Sequence, residues 1–158
     1  MKILLPDPIQ QRIIGALKKA GDREIGGILM GEHVAMDEFH IVDITIQTSH
    51  GSRASFIRSL TSAIISLTKF FQRTQRNFTR FNYLGEWHSH PSFYPIPSMQ
   101  DIESMFEIVT DQNVGAIFAI LLILRLNDLN VLEGSATMVS PNLSYSKCSL
   151  LLPGKSQQ

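Results

Sequence analysis

Apolar residues recur at helical spacing three times along the chain, with β-branched and apolar runs between. Ile9, Ile13 and Leu17 line one face of a helix. It starts at Asp7-Pro8, an N-cap residue followed by the proline favoured at the first helical position, and stops at Gly21. Leu60, Ile64, Leu67 and Phe71 predict the core face of a second helix over 60–76, and a third is expected over 98–110. Strands are predicted at 2–5, at 24–31 and 38–48 as an antiparallel pair, at 81–88 and at 129–139. The run 114–126 is apolar enough for a strand buried on both faces. Gly26, Gly27 and Gly31 weaken their strand by propensity, which implies a close approach to its backbone. Interleaved strands and helices read as an α/β fold, a mixed central β-sheet flanked by helices. One domain is expected over 1–152, followed by a polar, disordered tail over 153–158.

Composition narrows the classes. The chain has 158 residues, long enough for a sizeable core, with 14 Lys+Arg balancing 14 Asp+Glu. Zero formal net charge argues against a nucleic-acid-coating protein. The lone Cys148 excludes an internal disulfide framework and a cysteine zinc ribbon, and no base stands beside it to make it a nucleophile. No signal-peptide core precedes Pro6, and the apolar run ending at Arg125 is too short to cross a bilayer. The expectation is a cytoplasmic protein that binds neither membrane nor nucleic acid.

The stretch from Tyr83 to Asp101, YLGEWHSHPSFYPIPSMQD, carries the chemistry. His88 and His90 are two apart at a strand end, so both imidazoles project from one face. Trp87 belongs to the opposite, core face. Pro91, Pro95 and Pro97 stiffen the connection to a helix beginning near Ser98, and Asp101 lies in that helix's first turn. Two imidazoles and one carboxylate form a three-ligand zinc set with a fourth position left for water, the arrangement of catalytic rather than structural zinc. Ser98 and Asp101 also read as a capping box, a role compatible with metal binding.

The whole pattern resembles the JAMM (JAB/MPN+) metalloprotease family, through His88-Ser89-His90-Pro91, Ser98 and Asp101, with an upstream Glu24 in EIGGILMG. The likeness spans roughly residues 1–140. It implies an MPN/JAMM-like domain in which His88, His90 and Asp101 hold one zinc ion. Glu24 would act as general base and then acid, and Ser98 would donate a hydrogen bond to the oxyanion. Glu32 and Glu86 are rival bases, Glu86 the stronger because it shares a strand face with His88. The wording GEWHSHP, REIGGILMGEH and ASFIR is similar to the JAMM proteins of bacterial antiphage operons of CBASS and Bil type, with CBASS the preferred reading. That implies an isopeptidase cutting a protein conjugate after the C-terminus of a ubiquitin-like modifier or a CBASS nucleotidyltransferase. Ubiquitin-activating-like and ubiquitin-conjugating-like enzymes would be its operon partners. Alternatives are a peptidase processing a ubiquitin-like or sulfur-carrier precursor, and a non-catalytic MPN module that binds a partner.

Other features carry less. The loop over 47–56 is a candidate groove wall for an extended substrate tail paired beside a strand edge. In FFQRTQRNFTRF, 70–81, the phenylalanines are expected in the core and the arginines on a solvated face, rather than as a stacking surface for nucleic acid. His33, His40 and His50 lack ligand partners, and Met99 and Met105 are expected to pack.

Overall fold

A computed structural model describes residues 1–48 and 53–154, and their side chains except those of 53–62. The order is β1 (Lys2–Leu4), α1 (Asp7–Ala20), β2 (Gly26–Ala35), β3 (Glu38–Ile44), α2 (Arg53–Arg73), β4 (Phe81–Ser89), α3 (Met99–Thr110), β5 (Ala119–Leu126), β6 (Leu132–Ser140) and β7 (Ser144–Leu151). The α/β reading with a mixed sheet holds. β1/β3, β1/β7 and β4/β5 are parallel, while β2/β3, β2/β4, β5/β6 and β6/β7 are antiparallel. The short β1 bridges β3 to β7 and closes the sheet into a barrel, in the order β1-β3-β2-β4-β5-β6-β7. Among the described residues no helix is long and apolar enough to cross a membrane.

Both sheet faces are covered, which explains the uninterrupted apolar run of β5. Ile120, Leu122 and Leu124 join Ile9, Ile13 and Leu17 of α1 in one cluster. Ala119, Leu121 and Ile123 alternate onto the other face and pack against Ile102, Met105 and Val109 of α3. On β2, Ile28 and Met30 face Ala63 and Phe70 of α2 while Leu29 faces the α1 side. Helix α3 is thereby clamped across β5 and β6 with its first turn near the end of β4.

Several boundaries shift for identifiable reasons. β5 begins at Ala119 rather than Val114, because Val114 and Gly115 donate to the Asp111 carbonyl and Gly115 adopts φ 63°, closing a turn. α2 stops at Arg73, and Gln75 and Arg76 then take positive φ. Among its described side chains Ala63 and Phe70 are buried and the expected Leu67 and Phe71 pack beside them, whereas Ile64 is 60% exposed, so Ala63 takes the core position expected of Ile64. β6 starts at Leu132, after a turn with Asn130 at φ 57°. β7 escaped the sequence reading: SYSKCSLL is serine-rich and buries only Cys148, and its strand form comes from pairing with β6 and β1. Of the expected tail, Pro153 and Gly154 form a turn in which the Pro153 carbonyl accepts from buried Gln10, and 155–158 lie outside the described residues.

The close approach expected at the glycines is real. A Cβ on Gly26 would stand 2.5 Å from the Trp87 carbonyl oxygen and 3.0 Å from His88 Cβ, and one on Gly27 would collide with the Thr45 carbonyl. Gly26→Ala should therefore cost about 1–3 kcal/mol in chemical denaturation, because the β2/β4 pair must move apart. An unchanged midpoint would show slack between these strands.

Asp43 ties α1, β3 and α2 together. Its carboxylate accepts from Arg12 Nη1 at 2.7 Å and Arg73 Nη2 at 2.8 Å. Partial burial alone would raise its pKa, but the bonds from Arg73, Arg12 and the Ile44 N–H hold it below the usual value. A depressed carboxyl contributes stability above its unfolded pKa and loses it as pH falls through the folded value. Asp43→Asn should destabilise by about 1–3 kcal/mol at pH 7. The gap from the wild type should close below about pH 4 in pH-dependent denaturation.

Candidate metal centre

β4 delivers the two histidines. Near its end it is wedged between two backbones: Ser89 N–H donates to the Ile25 carbonyl at 2.8 Å, Ile25 N–H donates to Ser89 Oγ at 3.0 Å, and His90 N–H donates to the Leu124 carbonyl at 3.0 Å. Ser89 and Trp87 point into the core, where the Trp87 indole N–H donates to the Thr45 carbonyl at 2.9 Å. Alternation then turns His88 and His90 together to the α3 side.

The first turn of α3 delivers the carboxylate. Ser98 is the N-cap, and its hydroxyl accepts from the Asp101 N–H at 3.2 Å while donating to Asp101 Oδ2 at 2.7 Å. The Ser98 N–H also donates to Oδ2, at 2.6 Å, completing the capping box. Capping thus fixes the Asp101 rotamer, and the bent-back carboxylate meets the histidines. His88 Nε2 lies 3.1 Å from His90 Nε2 and 3.3 Å from Asp101 Oδ1, and His90 Nε2 lies 3.6 Å from Asp101 Oδ2.

These donors fit a zinc ion. Ligand atoms of a tetrahedral zinc stand about 3.3 Å apart, since each bond is about 2.0–2.1 Å. The two histidine nitrogens, and each histidine with its nearer Asp101 oxygen, stand close to that value; taking one ligand atom from each residue, all three lie within 4.8 Å of one another, and imidazole nitrogens with a carboxylate oxygen are ordinary zinc donors. The side chains are 27%, 12% and 17% exposed for His88, His90 and Asp101, so the cluster is partly open to an incoming group. Burial alone would raise the Asp101 pKa, but its bonds with His88 and Ser98 hold it well below the usual carboxylate range. It is therefore charged at neutral pH, as ligation requires.

The three candidate bases occupy different settings. Glu24 is exposed and directly precedes Ile25, so it enters the strand pair alongside the end of β4. Glu86 lies on the His88 face, and burial pushes its pKa up to about 8, so it is mostly protonated at pH 7. Glu32 pairs with Phe81 in register and is ion-paired to Arg80 at 2.6 Å. Phe81 and His88 stand seven positions apart along β4, about 23 Å. Glu32 is thus excluded as a base for this site.

Other expectations also meet the structure. Phe70 is buried and Arg73 and Arg80 are engaged by Asp43 and Glu32, in line with a core-and-surface reading of 70–81, although Phe78 is exposed. His33 stacks on Phe39, and His40 lies 3.4 Å from Glu38. Cys148 and Met105 are buried, but Met99 is 65% exposed. His50 and the rest of 49–52, in the loop proposed as a groove wall, fall outside the described residues, and 53–56 of that stretch belong to α2 rather than to a loop.

The connection between the histidines and α3 holds what sequence reasoning missed. Phe93, Tyr94 and Ile96 are all exposed in the segment that follows the candidate ligand His90, and Arg125 reaches the Phe93 carbonyl and the Tyr94 ring from β5. The signal was present as three large apolar residues set among three prolines, in a segment too short to form an element.

A closed mixed sheet with three helices, carrying a His-x-His pair and a helix-start aspartate, is the architecture of a JAB-type domain. The chain belongs to this family: the model for prokaryotic homologs of the JAB domain matches residues 6–136. A relative from Enterobacter hormaechei subsp. hoffmannii, named CD-NTase/cGAS isopeptidase, is 27% identical over 133 residues. That match covers 77% of this chain but 66% of the relative, so the chain spans just under two thirds of that protein's length. The solution structure of a protein from Desulfitobacterium hafniense superposes with a TM-score of 0.60 at 17% identity, covering 95% of this chain and 92% of that one. This second likeness is one of fold.

Proposed function

We propose that this protein is a zinc-dependent isopeptidase that cuts a protein conjugate after the C-terminus of a cGAS-like nucleotidyltransferase or a ubiquitin-like modifier, in the cytoplasm, as part of bacterial antiphage defence of the CBASS type. The observation that carries the reading is the convergence of His88, His90 and Asp101, whose ligand atoms, one from each, lie within 4.8 Å of one another on a partly open face. The name of the Enterobacter relative, CD-NTase/cGAS isopeptidase, supports the substrate class.

His88, His90 and Asp101 would hold the metal. Bound there, zinc supplies Lewis acidity and lowers the pKa of water toward about 7. Glu24 takes the proton of the attacking water and passes it to the leaving amine. The Ser98 hydroxyl donates to the oxyanion of the amide. To do so its hydrogen turns away from Asp101 Oδ2, while the Asp101 N–H continues to hold Oγ in place. The exposed Phe93, Tyr94 and Ile96 border the cluster and would meet a macromolecular substrate.

The test is zinc quantification together with cleavage of a fusion joining a nucleotidyltransferase or ubiquitin-like C-terminus to a short peptide, with and without chelator. One zinc per chain and chelator-sensitive cleavage at the junction is the expected result. Absence of zinc would overturn the site. Zinc without cleavage of either fusion would overturn the assigned substrates.

A further inference from the structure

The loop joining His90 to Ser98 has an unusual problem. It carries one proposed metal ligand and leads to another, yet its large side chains do not anchor it. Phe93 is 66% exposed, Tyr94 76% and Ile96 62%. Pro91, Pro95 and Pro97 have no N–H to donate, so the backbone has few bonds with which to tie itself down. Two internal ones are present, Phe93 N–H to the His90 carbonyl at 3.4 Å and Ile96 N–H to the Tyr94 carbonyl at 2.8 Å.

Arg125 supplies the fastening. It is the penultimate residue of β5, opposite Glu133 of β6 in register, and its Nε donates to Glu133 Oε1. Its Nη1 donates to the Phe93 carbonyl at 3.1 Å, and its guanidinium lies 5.4 Å above the Tyr94 ring. The Tyr94 carbonyl in turn stands 3.3 Å from His90 Nδ1. With the proton on Nδ1, His90 donates to that carbonyl and presents the Nε2 lone pair toward His88 and Asp101, which is the form a metal needs.

We propose that Arg125, held by Glu133, is a positioning residue for the metal centre: it braces the Phe93–Tyr94 backbone so that the Tyr94 carbonyl fixes the tautomer and orientation of His90. The guanidinium is suited to this because one planar group reaches a carboxylate, a carbonyl and an aromatic face at once. The proposal rests on the reading of His88, His90 and Asp101 as zinc ligands, but the state of the His90 ring can be measured without metal.

The experiment compares the wild type with Arg125→Ala, Arg125→Lys and Glu133→Gln. It uses zinc competition against a chromophoric chelator and imidazole nitrogen NMR shifts of His90 in zinc-free protein. The wild type is expected to hold His90 as the Nδ1–H tautomer. Arg125→Ala should give mixed tautomers and bind zinc about tenfold more weakly, the scale of lost outer-sphere support. Arg125→Lys keeps a charge opposite Glu133 but loses the planar stack, so it should restore only part of both readouts. Glu133→Gln should shift both in the same direction by less, and it carries the test if the alanine variant does not fold. A folded Arg125→Ala protein with wild-type His90 shifts and zinc affinity would overturn the brace. If the wild type binds no zinc, the metal reading fails instead, and the tautomer comparison still decides the brace.

Discussion

A His88→Ala variant is expected to lose zinc and hydrolysis together while keeping its fold. His88 is one of the three proposed donors, with its Nε2 within 3.3 Å of both His90 Nε2 and Asp101 Oδ1. Removing an outer-sphere partner typically weakens a metal site by about 10–100-fold, so removing a ligand should cost more than that. The side chain is 27% exposed and stands on the open face, so truncation leaves no sealed core cavity. Unfolding of the zinc-free variant should stay within about 1 kcal/mol of the zinc-free wild type. In zinc, the wild type alone should gain stability, because binding to the folded state shifts the unfolding equilibrium. Metal analysis and thermal unfolding with and without zinc check this. A variant that retains one tightly held zinc would move the site elsewhere.

The second large effect is expected from Glu24→Gln. Its turnover should fall by about 10²–10⁴-fold, the usual contribution of a positioned general base, with zinc content and unfolding unchanged. The choice of Glu24 over its rivals rests on electrostatics and distance. Glu86 is mostly protonated at pH 7 because burial lifts its pKa to about 8, and a protonated carboxyl cannot accept the water's proton. Glu32 sits at the other end of β2, neutralised by Arg80. Glu24 alone of the three is exposed beside the strand end that carries the histidines. Separating metal content from turnover is what gives this variant its force. A scaffold that merely bound zinc would show no turnover to lose, and a Glu24→Gln protein that cleaves at the wild-type rate would remove Glu24 from the reaction.

Much of the candidate site is legible in the sequence, for a reason visible at His88, His90, Ser98 and Asp101. Their relations are local. A spacing of two on a strand puts both imidazoles on one face, and a spacing of three at a helix start lets Ser98 and Asp101 cap each other. Secondary structure alone sets these relations, so sequence spacing reports them. Helix α1 and the doubly buried β5 were equally readable, since α1 follows a simple period and β5 a simple run. β7 was not, because its polar residues follow no burial pattern and only its neighbours make it a strand. On α2 the expected Leu67 and Phe71 do pack inward and Ile64 alone of the described positions departs, because it fits the helical spacing as well as Ala63 does and the packing of Ile28 and Met30 decides between them.

What the sequence by itself determined was therefore the inventory: the α/β class, most elements, the candidate His88, His90 and Asp101 cluster and the capping box, all expressed over a few adjacent residues. Tertiary structure decided what depends on residues far apart in the chain. It closed the sheet through β1, raised the Glu86 pKa by burial, separated Glu32 from the histidines, and brought Arg125 and Glu133 against the loop that carries His90. Hydrogen bonds, desolvation and ion pairs act over a few ångströms in space, and only folding determines which distant residues come that close.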